Sequence, residues 1–255
     1  MESPLPAPPW SGSGKKLESL VRRAVMEFDM IPKAEKIAVA LSGGKDSLSL
    51  LFLLHAIRGR GLPPFDLVAL TVTGEQSCGP QVGAETLQTI TKRLEVPLIT
   101  LVAEGKQKDC YSCSRQRRSL LFEAAKKTGA TRIAFGHHRD DSSQTTLMNL
   151  FLKAEFAGLL PKIQMKKYGV TIIRPLILAP EKLIIQFAKK YDFARITCQC
   201  PLGTRSARKK VDLFIEEIET LYPNARANIA TAALQYGSKK AALTSIANQI
   251  FREEL

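Results

Sequence analysis

The stretch KIAVALSGGKDSLSLLFLLHAI, residues 36–57, contains the pattern that decides the fold of this chain. Its first part, Lys36–Leu41, is short and almost entirely apolar, which predicts a buried strand, and its last part, Ser47–Ile57, predicts a buried helix. The two glycines between them, Gly43 and Gly44, predict a tight turn. A strand that passes through such a turn directly into a helix is the repeating unit of parallel α/β sheets.

The alternation of strands and helices continues on both sides of this stretch. Short apolar segments predict four further strands, Asp66–Val72, Pro97–Ala103, Thr131–Gly136 and Val170–Leu176. Apolar residues at helical spacing predict four further helices, Lys15–Met30, Glu85–Leu94, Ser114–Lys127 and Ser142–Lys153. We therefore expect an α/β fold with a doubly wound, mostly parallel sheet. Ligands of such sheets bind beyond the carboxyl ends of the strands, so functional motifs are expected in the loops that follow the strands.

Composition divides the chain into three segments. Residues 1–14 are rich in proline, glycine and serine and predict a flexible N-terminal arm. Residues 15–180 are expected to form the α/β domain with its N-terminal helix. Residues 181–255 predict a basic, helical extension that packs on this domain, with helices at Glu181–Tyr191, at Ser206–Leu221 and from Asn224 onward.

The overall composition excludes several classes of protein. Of the 255 residues 45% are hydrophobic and 24% are charged, which is typical of globular proteins and not of disordered or fibrous ones. The longest apolar run, Leu50–Leu54, is too short to cross a membrane, and no signal peptide opens the sequence. We therefore expect a cytoplasmic protein that is not in a membrane.

The charge balance points to a polyanionic partner. The chain has 37 Lys and Arg residues against 24 Asp and Glu residues, which leaves a formal net charge of +13. Such an excess favours nucleic acid, because basic side chains release counterions from phosphates. The alternative is a protein whose excess of basic residues has no such role.

The glycine-rich turn has the features of a phosphate site. Backbone N–H groups at glycines and at a helix N-terminus bind anions, and a lysine adds positive charge. An aspartate in such a turn suits a role in orienting Mg²⁺ or in capping the helix. The spacing differs from that of the Walker loop, so a different nucleotide geometry is expected. The alternative is an ordinary turn with a helix N-cap. The turn consists of Ser42, Gly43, Gly44, Lys45, Asp46 and Ser47.

Cysteines form the second constellation. Cys110 and Cys113 are expected in a loop that leads into a helix, where such a pair binds soft metals, holds a cluster or carries redox sulfur. Basic residues follow at Arg115, Arg117 and Arg118. The alternative is two incidental buried cysteines beside a solvated basic face.

A third constellation, GHHRDD at Gly136–Asp141, follows the fourth predicted strand. Histidines and carboxylates at a strand end suit Mg²⁺ coordination or proton transfer. The alternative is a helix start in which Asp140 or Asp141 is the N-cap and the histidines only pack.

The remaining cysteines are expected to differ in role. Cys198 and Cys200 precede a basic run, and one of them would complete a set of three cysteine ligands while the other has no such role. Cys78 is expected to be structural. The basic run comprises Arg205, Arg208, Lys209 and Lys210.

The order of these motifs resembles that of the tRNA 2-thiocytidine synthetases, a branch of the PP-loop ATP pyrophosphatases, from about residue 15 to about residue 240. One departure is the late Cys-x-Cys, where the family usually has Cys-x-x-Cys. The resemblance implies an enzyme that uses ATP and Mg²⁺ to adenylate the C2 oxygen of a cytidine, at position 32 of the tRNA anticodon loop. It also implies a 4Fe-4S cluster, a sulfur donor (a cysteine desulfurase or sulfide) and a homodimer.

The resemblance also assigns roles to residues of this chain. It implies that Lys45, Asp46, Cys110, Cys113 and Cys200 are catalytic, with Asp46 also a Mg²⁺ ligand. The implied cluster ligands are Cys110, Cys113 and Cys200, with Cys198 as the alternative third ligand. The implied ATP-binding residues are Ser42, Gly43, Gly44, Lys45, Asp46, Ser47, Thr71, Gly136 and Asp141. The residues expected to hold RNA phosphates are Arg115, Arg117, Arg118, Arg208, Lys209 and Lys210.

Two other functions remain compatible with the sequence. One is a PP-loop enzyme that acts on a different base or on a small amide, for example a desulfidase or an amidase-type enzyme. The other is a non-catalytic ATP-binding regulator, which would bind ATP without releasing AMP and would not need Cys110 and Cys113.

Overall fold

Strands and helices alternate along the chain as the sequence predicts, and they build one six-stranded sheet covered by helices. The computed structural model describes residues 5–74, 84–105, 110–193 and 207–237, without the side chain of Cys110. The strands are β1 Glu35–Ala40, β2 Phe65–Gly74, β3 Leu98–Ala103, β4 Arg132–Ala134, β5 Lys162–Met165 and β6 Val170–Ile173. The helices are α1 Ser13–Glu27, α2 Lys45–Ile57, α3 Ala84–Arg93, α4 Cys110–Lys127, α5 Arg139–Lys153, α6 Glu181–Lys190, α7 Ala207–Leu221 and α8 Ala225–Tyr236.

The sheet is parallel except at one edge. Its strand order is β3-β2-β1-β4-β6-β5, and β5 pairs antiparallel with β6. The order reverses direction after β1, so the loops that follow β1, β4 and β6 lie side by side at one end of the sheet. The predicted fold class is therefore confirmed. β5 was not predicted, because a four-residue edge strand with alternating exposed and half-buried residues gives too weak a pattern.

The two faces of the sheet are covered differently. Alternate residues of β1 point to opposite faces, with Ile37 and Val39 on one and Ala38 and Ala40 on the other. Helices α1, α2, α3 and α6 cover the first face, which we call the closed face. Helix α4 covers the second, which we call the α4 face, through Leu121, Phe122, Ala124 and Ala125. Nearly every residue of α2 is buried, which explains why its sequence is apolar all round.

The segments at the two ends of the chain pack against the sheet domain. Trp10 lies in the segment expected to be a flexible arm, yet it is buried. Its ring packs against Phe187 of α6 and against Tyr191, the residue that follows α6. Helix α6 also packs on α1 and α2, while α7 and α8 pack on α5. The division into three segments stays a prediction.

None of the helices in the described ranges combines the length and apolar character needed to span a bilayer.

Two helices begin earlier than predicted. Helix α4 begins at Cys110 instead of Ser114, so the expectation that Cys110 and Cys113 lie in a loop is wrong, and both are in its first turn. Helix α5 begins at Arg139 instead of Ser142. Polar residues at both starts interrupt the apolar period, so periodicity places these helix ends too late.

Candidate functional site

The turn between β1 and α2, which we call the phosphate loop (Ser42–Ser47), is closed by its own hydrogen bonds. The backbone N–H of Ser42 donates to Ser47 Oγ at 3.2 Å, and Ser47 Oγ donates to the Gly44 carbonyl at 3.0 Å. Gly43 has a φ of 80°, in the left-handed region that favours glycine. The sequence SGGKDS therefore builds a defined loop. A hydrogen bond of 3.1 Å joins the two serine hydroxyl oxygens, Ser42 Oγ and Ser47 Oγ, across it.

Helix α2 presents an uncapped N-terminus at this loop. Its N-cap is Gly44, and no side chain of the described residues makes a capping hydrogen bond there. The first N–H groups of a helix have no partner within the helix, and the helix dipole adds partial positive charge. This end of α2 therefore suits a bound phosphate.

Two carboxylates hold the lysine of the loop. Lys45 Nζ lies 3.1 Å from the carboxylate of Asp46 and 2.8 Å from Glu181 Oε1 at the start of α6. Burial lowers the pKa of Lys45, but Asp46 and Glu181 raise it by more, so it lies above its ordinary value. Burial raises the pKa of Asp46, and the neighbouring His138 and Lys45 offset this only in part. The ammonium is therefore charged at neutral pH and lies beside the helix end that suits phosphate.

The start of α5 brings a third carboxylate, that of Asp141, to the site. The N-cap is His138, whose Nδ1 accepts the N–H of Asp141 at 3.4 Å, while Asp141 Oδ2 accepts the N–H of His138 at 3.0 Å. Asp141 also pairs with Arg208 of α7 at 2.6 Å. Burial raises the pKa of Asp141, but His138, His137 and Arg208 lower it by more, so Asp141 is ionised. The motif does start a helix, but the alternative is wrong in its details: the N-cap is His138, not Asp140 or Asp141, and the histidines make hydrogen bonds instead of only packing.

The other histidine of this motif stays neutral. Burial, together with Arg174 and Arg208, lowers the pKa of His137 to about 4, although Asp141 raises it. The guanidinium Nε of Arg174 donates to His137 Nδ1 at 3.4 Å, which requires an unprotonated nitrogen. His137 is therefore a hydrogen-bonding group at neutral pH and not a source of charge.

Some of these groups, namely Ser42, Asp46, Ser47, His137 and Asp141, line a cavity of about 380 Å³ on the α4 face, which we call the nucleotide pocket. Its volume lies in the range of small-molecule sites, about 300–1,000 Å³. Gly136 lies directly against the start of α2, where a Cβ would stand 3.0 Å from the backbone of Asp46 and Ser47. The pocket is lined by Ala40, Leu41, Ser42, Asp46, Ser47, Leu70, Val72, Arg117, Leu121, Phe135, Gly136, His137, Asp141 and Arg208.

Comparisons with known proteins agree on one family. Residues 15–197 of this chain match the family described as the PP-loop domain. A tRNA-cytidine(32) 2-sulfurtransferase of Xylella fastidiosa is 37% identical, covering 86% of this chain and 76% of that protein. The protein of the same name from Geobacter metallireducens is 32% identical, covering 86% and 88%. This chain belongs to the tRNA-cytidine(32) 2-sulfurtransferase family.

A solved structure of low identity has the same fold as this family member. The U34-tRNA thiolase of Methanococcus maripaludis, determined with its 4Fe-4S cluster, matches with a TM-score of 0.69 and 21% identity. The match covers 87% of this chain and 77% of the thiolase. At this identity the comparison supports the sheet topology and no residue role.

The structure brings most of the predicted ATP-binding residues of this family member together. Ser42, Asp46 and Ser47 of the phosphate loop meet Gly136 and Asp141 at the nucleotide pocket, whereas Gly43, Gly44 and Lys45 do not line it. Thr71 does not line it, because its side chain is buried on the other side of β2 from Leu70 and Val72. The assignment of these residues to ATP stays a prediction.

The predicted cysteine ligands fall largely outside the described residues. Cys113 is buried on α4, one turn before Arg117, which lines the nucleotide pocket. Cys110 is three residues earlier and is the first residue of the same helix. Cys78, Cys198 and Cys200 lie outside the ranges that the structure describes. All three cysteine ligands therefore stay predictions.

The basic residues predicted to hold RNA separate into two groups. Arg117 donates to the Val72 carbonyl at 2.6 Å and lines the nucleotide pocket, as does Arg208. Lys209 and Lys210 are exposed on α7, and Lys209 pairs with Asp212 at 3.5 Å. Arg115 and Arg118 are exposed on α4 away from the nucleotide pocket.

Sequence reasoning missed two residues of the site, Glu181 and Arg174. Glu181 opens α6, and its N–H donates to Asp140 Oδ2 at 3.2 Å, which fixes it beside the phosphate loop. Arg174 follows β6 directly. Both residues follow β6, the strand that pairs with β4. Ligands bind beyond strand ends, so the strand order would have been enough to predict these two residues.

One group of side chains fits a divalent cation. Ligand atoms of Asp46, His138 and Glu181 lie within 4.8 Å of one another. Asp46 Oδ1 is buried and accepts no hydrogen bond from the described residues, although Lys45 Nζ lies 3.1 Å away. Carboxylate oxygens are the ligands that Mg²⁺ prefers, so the donor set fits the predicted magnesium ion.

Proposed function

We propose that this chain is an ATP-dependent tRNA sulfurtransferase that replaces the C2 oxygen of cytidine 32 in the anticodon loop by sulfur. The observation that carries the proposal is the phosphate loop: Ser42, Asp46 and Ser47, at the uncapped start of α2, line a cavity of nucleotide size, and the charged Lys45 lies next to them in the loop. Membership of the tRNA-cytidine(32) 2-sulfurtransferase family supports the choice of base and position.

The two ends of the nucleotide pocket suit the two ends of ATP. Ser42, Ser47 and the start of α2 offer hydrogen-bond donors for the phosphates. The opposite part of the lining is apolar, with Leu70, Val72 and Leu121 around the space for the adenine ring. An apolar lining with a few placed polar groups is typical of a pocket that orients its ligand.

Lys45 stabilises the charge that develops during adenylation. The C2 oxygen of cytidine attacks the α-phosphorus of ATP, the bond to the bridging oxygen breaks, and pyrophosphate leaves. Charge accumulates on that leaving group, and a preorganised ammonium stabilises it. Without nucleotide, Asp46 and Glu181 hold Lys45 in place, so the lysine does not have to be ordered when ATP arrives.

The second half of the reaction needs sulfur at the oxidation level of sulfide. Sulfide adds to the activated C2 carbon, the C2–oxygen bond breaks, and AMP leaves with the oxygen. Cys110 and Cys113 on α4, with Cys200 or Cys198, would hold a 4Fe-4S cluster. When bound, a cluster with three protein ligands supplies one open iron for sulfur. The sulfur itself would come from a cysteine desulfurase or from free sulfide.

Charged groups of the chain would hold the remaining reactants. Asp46 and Glu181, with His138 beside them, would hold Mg²⁺ next to the phosphates. The exposed basic residues Lys209 and Lys210 would contact the tRNA backbone. We further propose that the enzyme acts in the cytoplasm as a homodimer.

The test is a thiolation assay with unmodified tRNA, ATP, Mg²⁺ and sulfide under anaerobic conditions, read as 2-thiocytidine by nucleoside mass spectrometry and as AMP release. We expect wild type and the control Cys78→Ser to form both products, and Cys113→Ser to form no 2-thiocytidine. AMP release without sulfur in RNA would point to another PP-loop enzyme. ATP binding without AMP release would point to a regulator, and either result would contradict the proposal.

A further inference from the structure

A second cavity lies on the side of α4 that faces away from the nucleotide pocket. It has a volume of about 700 Å³ and lies between α4 and the β5–β6 hairpin, and we call it the α4 groove. Its principal polar and aromatic lining residues are Tyr111, Arg118, Phe122, Lys167, Tyr168 and Arg174. It exists because α4 alone covers this face, and the antiparallel edge of the sheet extends beyond it.

The charge of the α4 groove is entirely positive in the part of the chain that the structure describes. Four of its lining residues are basic, and no carboxylate is among the described lining residues. Arg174 is buried, and burial together with Arg118 lowers its pKa to about 10, so it stays charged at neutral pH. Like charges held together in this way favour an anionic ligand.

Aromatic rings stand among these cations. Tyr111 is 67% exposed at the start of α4, with the guanidinium of Arg115 5.7 Å from its ring centre. On the other wall, the ring of Tyr168 packs against Phe122 at 5.0 Å, and Lys167 lies 5.5 Å from its centre. Tyr111 is thus exposed and Tyr168 half-buried. Accessible rings beside basic side chains are how proteins bind unstacked bases and their phosphates.

The α4 groove and the nucleotide pocket share a wall. Arg174 lines the groove, His137 lines the pocket, and the two side chains are bonded at 3.4 Å. The two cavities are therefore neighbours, separated by the contact between Arg174 and His137. Helix α4 contributes to both, because Arg117 and Leu121 face the pocket whereas Tyr111 and Arg118 face the groove.

From these contacts we infer that the α4 groove binds single-stranded RNA, namely the nucleotides next to the target cytidine. Bases stack on Tyr111 and Tyr168, and phosphates pair with Arg118, Lys167 and Arg174. The inference rests on the proposed function and names the surface on which that substrate lies. A second copy of the chain fits less well, because a symmetric contact would place the same four cations against each other.

The test uses fluorescence anisotropy with a labelled RNA hairpin of the anticodon-arm sequence and the full chain. Arg118→Glu with Lys167→Glu reverses two exposed charges of the groove. Lys15→Glu with Lys16→Glu makes the same charge change on α1, which packs on the closed face. We expect the groove variant to bind at least about tenfold more weakly than the control variant. We also expect its salt slope to fall by about 1.4, since each contact with single-stranded phosphate contributes about 0.7.

Stacking is tested at Tyr111, which is exposed and can be replaced without disturbing the core. We expect Tyr111→Ala to weaken binding about tenfold, as for loss of one stacked base, while Tyr111→Phe keeps the wild-type affinity. Equal affinities of Tyr111→Ala and Tyr111→Phe would overturn the stacking part of the inference.

Sedimentation velocity of the same variants separates RNA binding from self-association. If the groove variant binds RNA as tightly as the control variant, the inference is overturned. If the groove variant changes only the oligomeric state, the groove is a contact between subunits, which also overturns the inference. If the groove variants lose RNA affinity as expected while wild type forms no 2-thiocytidine, the proposed function fails and the groove assignment stands.

Discussion

On the closed face of the sheet, helices α1, α2 and α6 bury large side chains such as Phe52, Phe187 and Leu17. On the α4 face a single helix covers smaller residues, and both the nucleotide pocket and the α4 groove lie beside it. The two faces belong to one sheet but differ in how completely they are covered. Cavities with converging polar groups occur on the face where helices leave part of the sheet open.

The difference shows how a stable scaffold can position a reactive loop. Helix α2 is buried nearly all round on the closed face, yet its N-terminus emerges at the carboxyl end of β1. Packing therefore fixes the helix end that suits phosphate, while the groups that bind ligands lie on the open side. We therefore expect substitutions on the closed face to reduce stability and substitutions around the pocket to reduce activity.

The largest effect is expected from Phe187→Ala on the closed face. Phe187 is fully buried, with the rings of Trp10, Tyr191 and Phe193 within 5.8 Å, centre to centre. Removing a buried phenylalanine leaves a cavity, so the free energy of unfolding should fall by about 3–5 kcal/mol. The measurement is urea unfolding followed by circular dichroism.

The matched variant on the α4 face is Ile163→Ala in β5. Ile163 is half-buried beside the α4 groove, so the loss should be below about 2 kcal/mol, because less apolar surface is removed from a packed environment. If Phe187→Ala and Ile163→Ala lower the free energy of unfolding by equal amounts, the two faces do not differ in how tightly they are packed, which would contradict the comparison.

The second prediction concerns activity at the phosphate loop. Lys45→Ala removes the ammonium beside the helix end, and we expect AMP formation to slow about 10²–10³-fold, the usual cost of losing one preorganised group. Lys182→Ala, an exposed lysine one residue after Glu181, is the control and should keep the wild-type rate. Both rates are measured by AMP release, with unfolding midpoints recorded in parallel. A Lys45 variant with the wild-type rate would remove the main support for the site.

The smallest effect is expected where polar contacts join helices α5, α7 and α8. Asp212 accepts hydrogen bonds from Gln144 and Arg226, both at 2.8 Å. Burial raises the pKa of Asp212, but these bonds lower it by more, so it lies below its ordinary value. Its contribution to stability is therefore complete above the unfolded pKa of about 3.9 and is lost as the pH falls through the folded value.

Asp212→Asn tests this contribution. We expect the variant to be less stable than wild type by about 0.5–1.5 kcal/mol near pH 7, the typical net contribution of one hydrogen bond. The gap should shrink as the pH falls below about 4, because wild type then loses the carboxylate as well. The difference in stability is measured from urea unfolding midpoints between pH 7 and pH 3. A difference that does not change with pH would contradict a stabilising role of the ionised Asp212 carboxylate.

Most of the fold followed from local patterns. Five of the six strands have strong apolar runs, and the glycine-rich turn lies between a strand and a helix whose periods are clear. The fifth strand in chain order and the first turn of α4 were missed, because short or polar segments carry little periodic signal. Tertiary contacts stabilise such segments and override weak local preference.

The phosphate loop could be predicted from sequence, because all six of its residues are adjacent and their types dictate backbone geometry and charge. The distant groups that join it depend on the folded arrangement of the strands. Glu181 and Asp141 reach Lys45 and Arg208 because β1, β4 and β6 are parallel neighbours that end at the same side of the sheet. The α4 groove likewise depends on where the β5–β6 hairpin lies against α4. Strand order depends on packing of the whole chain, so no local pattern of residues encodes it.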